Sequence, residues 1–210
     1  MDHKFKNEQI NKILSDHENY NIAAESADSM EKAAEIMRKL STEELGNAIL
    51  GGYYSSLVEV AGWNDVFPEP SYDQLDKLAP ALEMLYSAQR ESYSPRENAE
   101  IIGKTIAAYM TLLCINETGC VPQYSRINPM MYASQADIPE AWGGAIIIEV
   151  GSRKPVDFYQ AGLDAVKEER IAMDGGLAVD MTPVIIAYRR ATGIKLSEYG
   201  LANLMIGGKE

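Results

Sequence analysis

Cys114 and Cys120 are six positions apart, a separation that matches no common zinc pattern and provides no disulfide framework. They are read as free thiols. The two histidines, His3 and His17, stand in the polar first segment without the Glu-x-x-His or His-x-x-x-His pairing that helical metal sites use. Both are expected at the solvated surface, and neither a structural metal nor a cofactor is expected. A Cys–His or Ser–His nucleophile would need one of these histidines folded back onto the later part of the chain as its base. Nothing in the sequence suggests that it is.

Two other groupings have the residue types of a binding site. Gly151-Ser152-Arg153-Lys154 follows a β-branched run and leads into a helix expected from Pro155. Ser152, Arg153 and Lys154 would then surround a helix amino terminus, whose free amide protons and partial positive charge favour phosphate or carboxylate. Arg189 or Arg190 from a later helix would add charge, and the competing reading is an ordinary surface turn with solvated cations. The second grouping is Tyr124, Arg126, Asn128, Tyr132, Gln135, Asp137 and Trp142, amphipathic aromatics and polar groups beside Cys120. Such residues line ligand pockets and interface centres, and the competing reading is a packed loop.

Two motif matches fail on their surroundings. Asn98-Ala99-Glu100-Ile101-Ile102-Gly103-Lys104-Thr105 resembles the end of a phosphate-binding P-loop, but Asn98 replaces its first glycine. Ser94-Pro95 also starts a helix where the motif has a strand and a flexible loop, so Gly103 is read as a small residue permitting close helix packing. The stretch from Tyr188 to Leu204 has the flavour of half a helix-turn-helix, yet the residues after Leu204 do not supply a recognition helix.

The elements that must position these residues follow from period and caps. Met30, Ala33, Ala34, Met37 and Leu40 repeat at helical spacing within 26–40. Ser41-Thr42-Glu43-Glu44 has the form of a capping box and opens a second helix, which Gly51-Gly52 is expected to break. Leu75, Leu78, Leu82 and Leu85 trace another stripe, with Pro80 expected to kink or restart it. Ser94-Pro95 starts the segment that reaches Thr118 and ends near Gly119. Its apolar residues cover most of the circumference, which places it at the centre of a bundle. Residues 121–140 contain prolines and no sustained period, and are read as irregular. Ala145 to Val150 is the best strand, Pro155 to Arg170 a helix, and Leu177 to Met181 a second short strand. Thr182-Pro183 starts a helix that stops at Gly193, and Ser197 is expected to cap a final short one. Gly-Gly recurs at 143, 175 and 207, but the intervening residues do not align, so no repeat is inferred.

The resulting expectation is a predominantly α-helical α+β fold, a helical layer followed by a smaller mixed α/β carboxy-terminal part. Its divisions are a polar segment at 1–25, a helical bundle at 26–119, an irregular connection at 120–144 and a mixed part at 145–210, packed as one domain.

The chain has 210 residues, 46% of them apolar, with 19 basic against 31 acidic side chains and a net charge of −12. That is enough apolar material for a sizeable core, and the acidic balance disfavours nucleic acid and anionic membrane as partners. The charged amino terminus runs into no apolar signal region and the greasy stretch at 101–115 is too short to span a bilayer, so a cytoplasmic location is expected. Twelve tyrosines against three phenylalanines, with ten methionines, favour adaptable contact surfaces. The functional expectation is an acidic soluble binding protein, of inhibitor, immunity or adaptor type, docking a basic protein partner or assembling as a homo-oligomer. The alternative is a small-molecule enzyme or ligand sensor with an anion pocket at the 151–155 turn.

Overall fold

The computed structural model describes residues 5–62, 69–126, 146–166, 176–196 and 203–206. Its helical part runs α1 (Glu8–Glu25), α2 (Met30–Lys39), α3 (Thr42–Val60), a 3-10 turn (Tyr72–Gln74), α4 (Leu75–Gln89) and α5 (Pro95–Thr118). The mixed part follows as β1 (Gln123–Arg126), β2 (Ile146–Val150), β3 (Val156–Asp157), α6 (Phe158–Ala165), β4 (Leu177–Asp180), α7 (Thr182–Thr192) and β5 (Asn203–Ile206). The fold is therefore predominantly helical, a helical layer followed by a mixed part.

Helix α5 starts where its local signals place it. The Ser94 hydroxyl accepts from the Glu97 amide and the Glu97 carboxylate accepts from the Ser94 amide, while Gly119 closes the other end at φ +65°. Ile102, Ile106, Tyr109, Met110, Leu112, Leu113 and Ile115 are all fully buried. The helix packs against α1, α3, α4, α6, α7 and β2, so it is the shared centre of both parts.

Three helical expectations change. Gly51-Gly52 does not break α3, because a Cβ on Gly51 would sit 2.7 Å from His17 Cβ and 3.0 Å from the Ile13 carbonyl oxygen. The close approach of α1 is what requires glycine there. Pro80 lies inside an unbroken α4, and the carbonyl that its missing N–H would have served belongs to the exposed Asp76, which water can reach. The polar first segment holds α1, capped by the Asn7 side chain and anchored by the fully buried Ile10 and Ile13.

The mixed part has a three-stranded antiparallel sheet in the order β1-β2-β3 and a separate antiparallel pair, β4-β5. The segment read as irregular therefore begins with a strand, in register from Gln123 opposite Glu149 to Arg126 opposite Ile146. Residues 127–145 lie outside the described residues. The helix expected from Pro155 starts instead at Phe158, because Val156 and Asp157 pair with Val150 and Glu149 of β2 and the Asp157 carboxylate then caps α6. Helix α7 ends at Gly193, φ +83°, as its sequence implies. The final short helix expected after Ser197 begins outside the described residues, which resume with β5, where Asn203 to Ile206 pair with Asp180 to Leu177.

Candidate functional site

The chemically most distinctive arrangement is built at the carboxy-terminal end of α5. Cys114 is fully buried in the last turns, and the Thr118 hydroxyl donates to its carbonyl oxygen at 2.6 Å. Gly119 reverses the chain, after which the Cys120 amide donates to Thr118 Oγ1 at 3.3 Å. This fold-back sets Cys120 Sγ 3.9 Å from Cys114 Sγ, with both cysteines as free thiols. Cys120 is half-buried. Its thiol is held below the ordinary range, at about 6, by the hydrogen bond from Cys114, against the opposing effect of burial and with help from the Gly151 amide. Cys114 is pushed up as the proton-holding member of the pair, and burial adds to that. Nearby, the Tyr188 and Tyr72 hydroxyls meet at 2.5 Å, and burial foremost keeps Tyr188 protonated.

A second arrangement lies between α3, α5 and α6. Lys104 forms an ion pair with Glu100 and places its ammonium 6.0 Å from the centre of the Tyr53 ring and 5.8 Å from that of Tyr159. Burial would lower its pKa, but the two tyrosines and Glu100 outweigh that and raise it. The adjoining cleft, lined also by Ile49, Leu50, Ala107, Ala108 and Thr111, has room for about one water-sized molecule. The Lys104 that the sequence places in a broken P-loop pattern is thus a mid-helix cation. Gly103 beside it packs on α6, where a Cβ would lie 2.5 Å from Val166 Cγ2 and 2.9 Å from the Gly162 carbonyl oxygen.

Of the sequence-derived site residues, the structure describes Tyr124, Ser152, Arg153 and Lys154, with the backbone of Arg126. Ser152, Arg153 and Lys154 form an exposed turn between β2 and β3, before the start of α6. The amides of Gln160 and Tyr159 at that start serve the Asp157 carboxylate, whose pKa burial raises against those two bonds. The helix amino terminus in the anion reading is therefore already capped by a negative group. The Arg153 amide instead donates to the Ala191 carbonyl at 3.0 Å, and its guanidinium lies against Gly193, beside the end of α7. A cation there complements the helix dipole.

Tyr124 turns inward: its ring packs on Gly46 of α3 and its hydroxyl donates to Asn47 Oδ1 at 2.5 Å. Arg126 stands in β1 opposite Ile146. Tyr132, Asp137 and Trp142 lie outside the described residues, as does His3. His17 is half-buried rather than freely solvated: Nδ1 meets the Ala48 carbonyl at 3.1 Å and Nε2 meets the Asn21 amide at 3.0 Å. Burial lowers its pKa.

The spacing argument missed the thiol pair because six positions spans neither a helical turn nor a standard metal motif. A glycine directly before Cys120 was the available signal, since a left-handed helix end sends the chain back along the last turn.

On α1, Ile22 is 61% exposed, four residues after Glu18 and three before Glu25, both of which are exposed. Spacings of three and four residues put all three side chains on one helical face.

Among the described residues no group of three or more His, Cys, Asp or Glu is placed to hold a metal ion, and no helix is long and apolar enough to cross a membrane. Comparison with protein-family models, with curated proteins and with solved structures found no match to this chain.

Proposed function

We propose that the chain is an acidic binding protein of adaptor, inhibitor or immunity type, acting in the cytoplasm, which docks a basic protein partner through the outer face of α1. The observation that carries this reading is Ile22, a large apolar side chain exposed between two carboxylates on a regular helix. An apolar anchor with a charged rim is the usual anatomy of a binding centre. Ile22 follows the buried Ile13 by nine residues, half a turn away around the helix, so packing on α3 leaves it outward.

The charge of the surrounding layer supports the same reading. Three of its cations are paired on the surface, Lys12 with Glu43, Lys32 with Asp28 and Lys39 with Glu35, while Glu8, Glu18, Glu25, Glu31 and Glu59 are exposed carboxylates beyond those pairs. With the whole chain at −12, such a face would steer a basic partner towards it. The water-sized cleft at Lys104 is too small to serve as a substrate chamber.

Cross-linking in an extract of the native cell, read by mass spectrometry, should join α1 to a basic protein. With that partner purified, Ile22→Ala should weaken binding about 5- to 30-fold, the equivalent of about 1–2 kcal/mol. Added salt should slow association more than it speeds dissociation. Arg153→Ala should change neither. Cross-links confined to faces other than α1, or affinity lost in Arg153→Ala and kept in Ile22→Ala, would overturn the proposal, the latter in favour of an anionic ligand.

A further inference from the structure

We infer that Cys120 and Cys114 form a thiol–disulfide exchange site, at which Cys120 attacks a disulfide-bearing substrate and Cys114 resolves the product. The inference is independent of the docking face on α1 and rests on four observations. The two sulfurs are 3.9 Å apart, so forming a bond of about 2.05 Å requires an approach of about 1.9 Å. Cys120 lies beyond the Gly119 cap, outside the hydrogen-bond ladder of α5, and is the member free to make that approach. It is also partly exposed, whereas Cys114 is fully buried, so a substrate in solution meets Cys120 first. Finally, the Cys120 sulfur lies within hydrogen-bonding reach of the Cys114 thiol, the member of the pair that holds its proton, and of the Gly151 amide. Hydrogen bonds to the charged form favour that form, and the thiolate is the nucleophile in exchange.

The chemistry balances without a cofactor. The Cys120 thiolate attacks one sulfur of a substrate RS–SR, forming Cys120–S–S–R and breaking the substrate S–S bond to release RS⁻. The Cys114 thiol gives its proton to that released thiolate, directly or through water, and its sulfur attacks Cys120 Sγ. The second RS⁻ leaves and takes up the proton that Cys120 had shed to solvent. Two protein thiols are thereby oxidised to one intramolecular disulfide, and the substrate disulfide is reduced to two RSH. Disulfide is the substrate class these donors suit: they are neutral, and a disulfide carries no oxygen leaving group for a cation to stabilise, as a hydroperoxide does. Tyr188 on α7 interacts with Cys114 and stays protonated, so it places no anion beside the pair.

The test uses the full reduced chain under native conditions with 5,5′-dithiobis(2-nitrobenzoate), an aromatic disulfide, followed by oxidised glutathione. The wild type should release two thionitrobenzoates per chain, keep no adduct and lose the mass of two hydrogens. Cys114→Ser should release one and retain the adduct, and Cys120→Ser should react only once unfolded. Cys114→Ala provides the same reading should the serine variant fail to fold, judged by far-ultraviolet circular dichroism. The rate for the wild type should show its half-maximum near pH 6, and Cys114→Ala should move it upward by removing the first donor. A wild-type chain that retains the adduct would overturn the proposal. So would equal reaction rates for wild type and Cys120→Ser, or faster oxidation by hydrogen peroxide than by oxidised glutathione at equal concentration.

Discussion

Asn47 is a fully buried polar residue whose position depends on two partners far away in the chain. Its amide donates to Asp16 Oδ2 on α1 at 2.6 Å and its carbonyl oxygen accepts from the Tyr124 hydroxyl of β1 at 2.5 Å, so one side chain ties three elements together. Removing the hydroxyl leaves a buried acceptor unpaired. Tyr124→Phe should therefore lose about 1–2 kcal/mol in urea unfolding with an unchanged denaturant dependence, and Tyr124→Ala about 3–5 kcal/mol because the ring on Gly46 goes too. That outcome would mark Tyr124 as a structural clamp, where the sequence suggested a residue of a ligand pocket or interface centre. His17 carries a prediction of the same scale. Its neutral form donates from Nδ1 to Ala48 and accepts at Nε2 from Asn21, and burial places its folded pKa below the ordinary 6.5. As pH falls through 6.5 the unfolded chain takes up the proton first, so the stability contribution of His17 is complete above 6.5 and lost as pH falls towards the folded value. The unfolding free energy should decline over that range, His17→Gln should lessen the decline, and proton NMR should find the His17 midpoint below 6.5. A midpoint at or above 6.5 would contradict the burial argument.

At the scale of elements, the crossing of α5 and α6 rests on two facing glycines. A Cβ on Gly162 would run into the Gly103 carbonyl oxygen and approach Ala107 Cβ to 2.9 Å, while one on Gly103 would meet Val166 and Gly162. The obstacles are largely backbone, which cannot rotate away. Gly162→Ala should consequently destabilise the protein by about 1–3 kcal/mol, even though alanine in a helix interior is worth about 1 kcal/mol over glycine. Thermal unfolding checks the sign directly. A solvent-side counterpart is the capping box of α5: Ser94→Ala removes the acceptor for the Glu97 amide and should cost about 1 kcal/mol while leaving the crossing intact. The two variants should be additive, because one acts at a helix end and the other at a buried contact.

For the whole molecule, the common partner is α5, which touches α1, α3 and α4 of the helical part and α6, α7 and β2 of the mixed part, while α4 also meets β5. Neither part can lose α5 without exposing its own core. Far-ultraviolet and tyrosine near-ultraviolet circular dichroism should therefore report one coincident transition, and two separated midpoints would show that the mixed part folds by itself. The charge of −12 acts at the same scale. Self-repulsion among exposed carboxylates opposes the compact state, and moderate salt should raise the melting temperature by screening it.

The sequence by itself determined the features whose causes are local. Ser41 with Glu44 and Ser94 with Glu97 close their capping boxes, Gly119 and Gly193 end their helices in the left-handed region, and the apolar girth of 101–115 makes that helix central. Each is decided by a few neighbouring residues, so it is legible before any tertiary contact forms. Tertiary structure decided the rest. The alternation of Gln123-Tyr124-Ser125-Arg126 has no apolar face, and it is a strand because β2 supplies its hydrogen bonds; β5 is likewise defined by β4. Helix α1 has few apolar residues and is secured by Ile10 and Ile13 entering the core, with Gly51 giving it room. The thiol pair belongs to both categories: Gly119 turns the chain by a local rule, but the depth of Cys114 and the amide of Gly151 come from packing across the molecule. Reactivity depends on which groups surround a sulfur, and residues distant in sequence supply part of that surrounding.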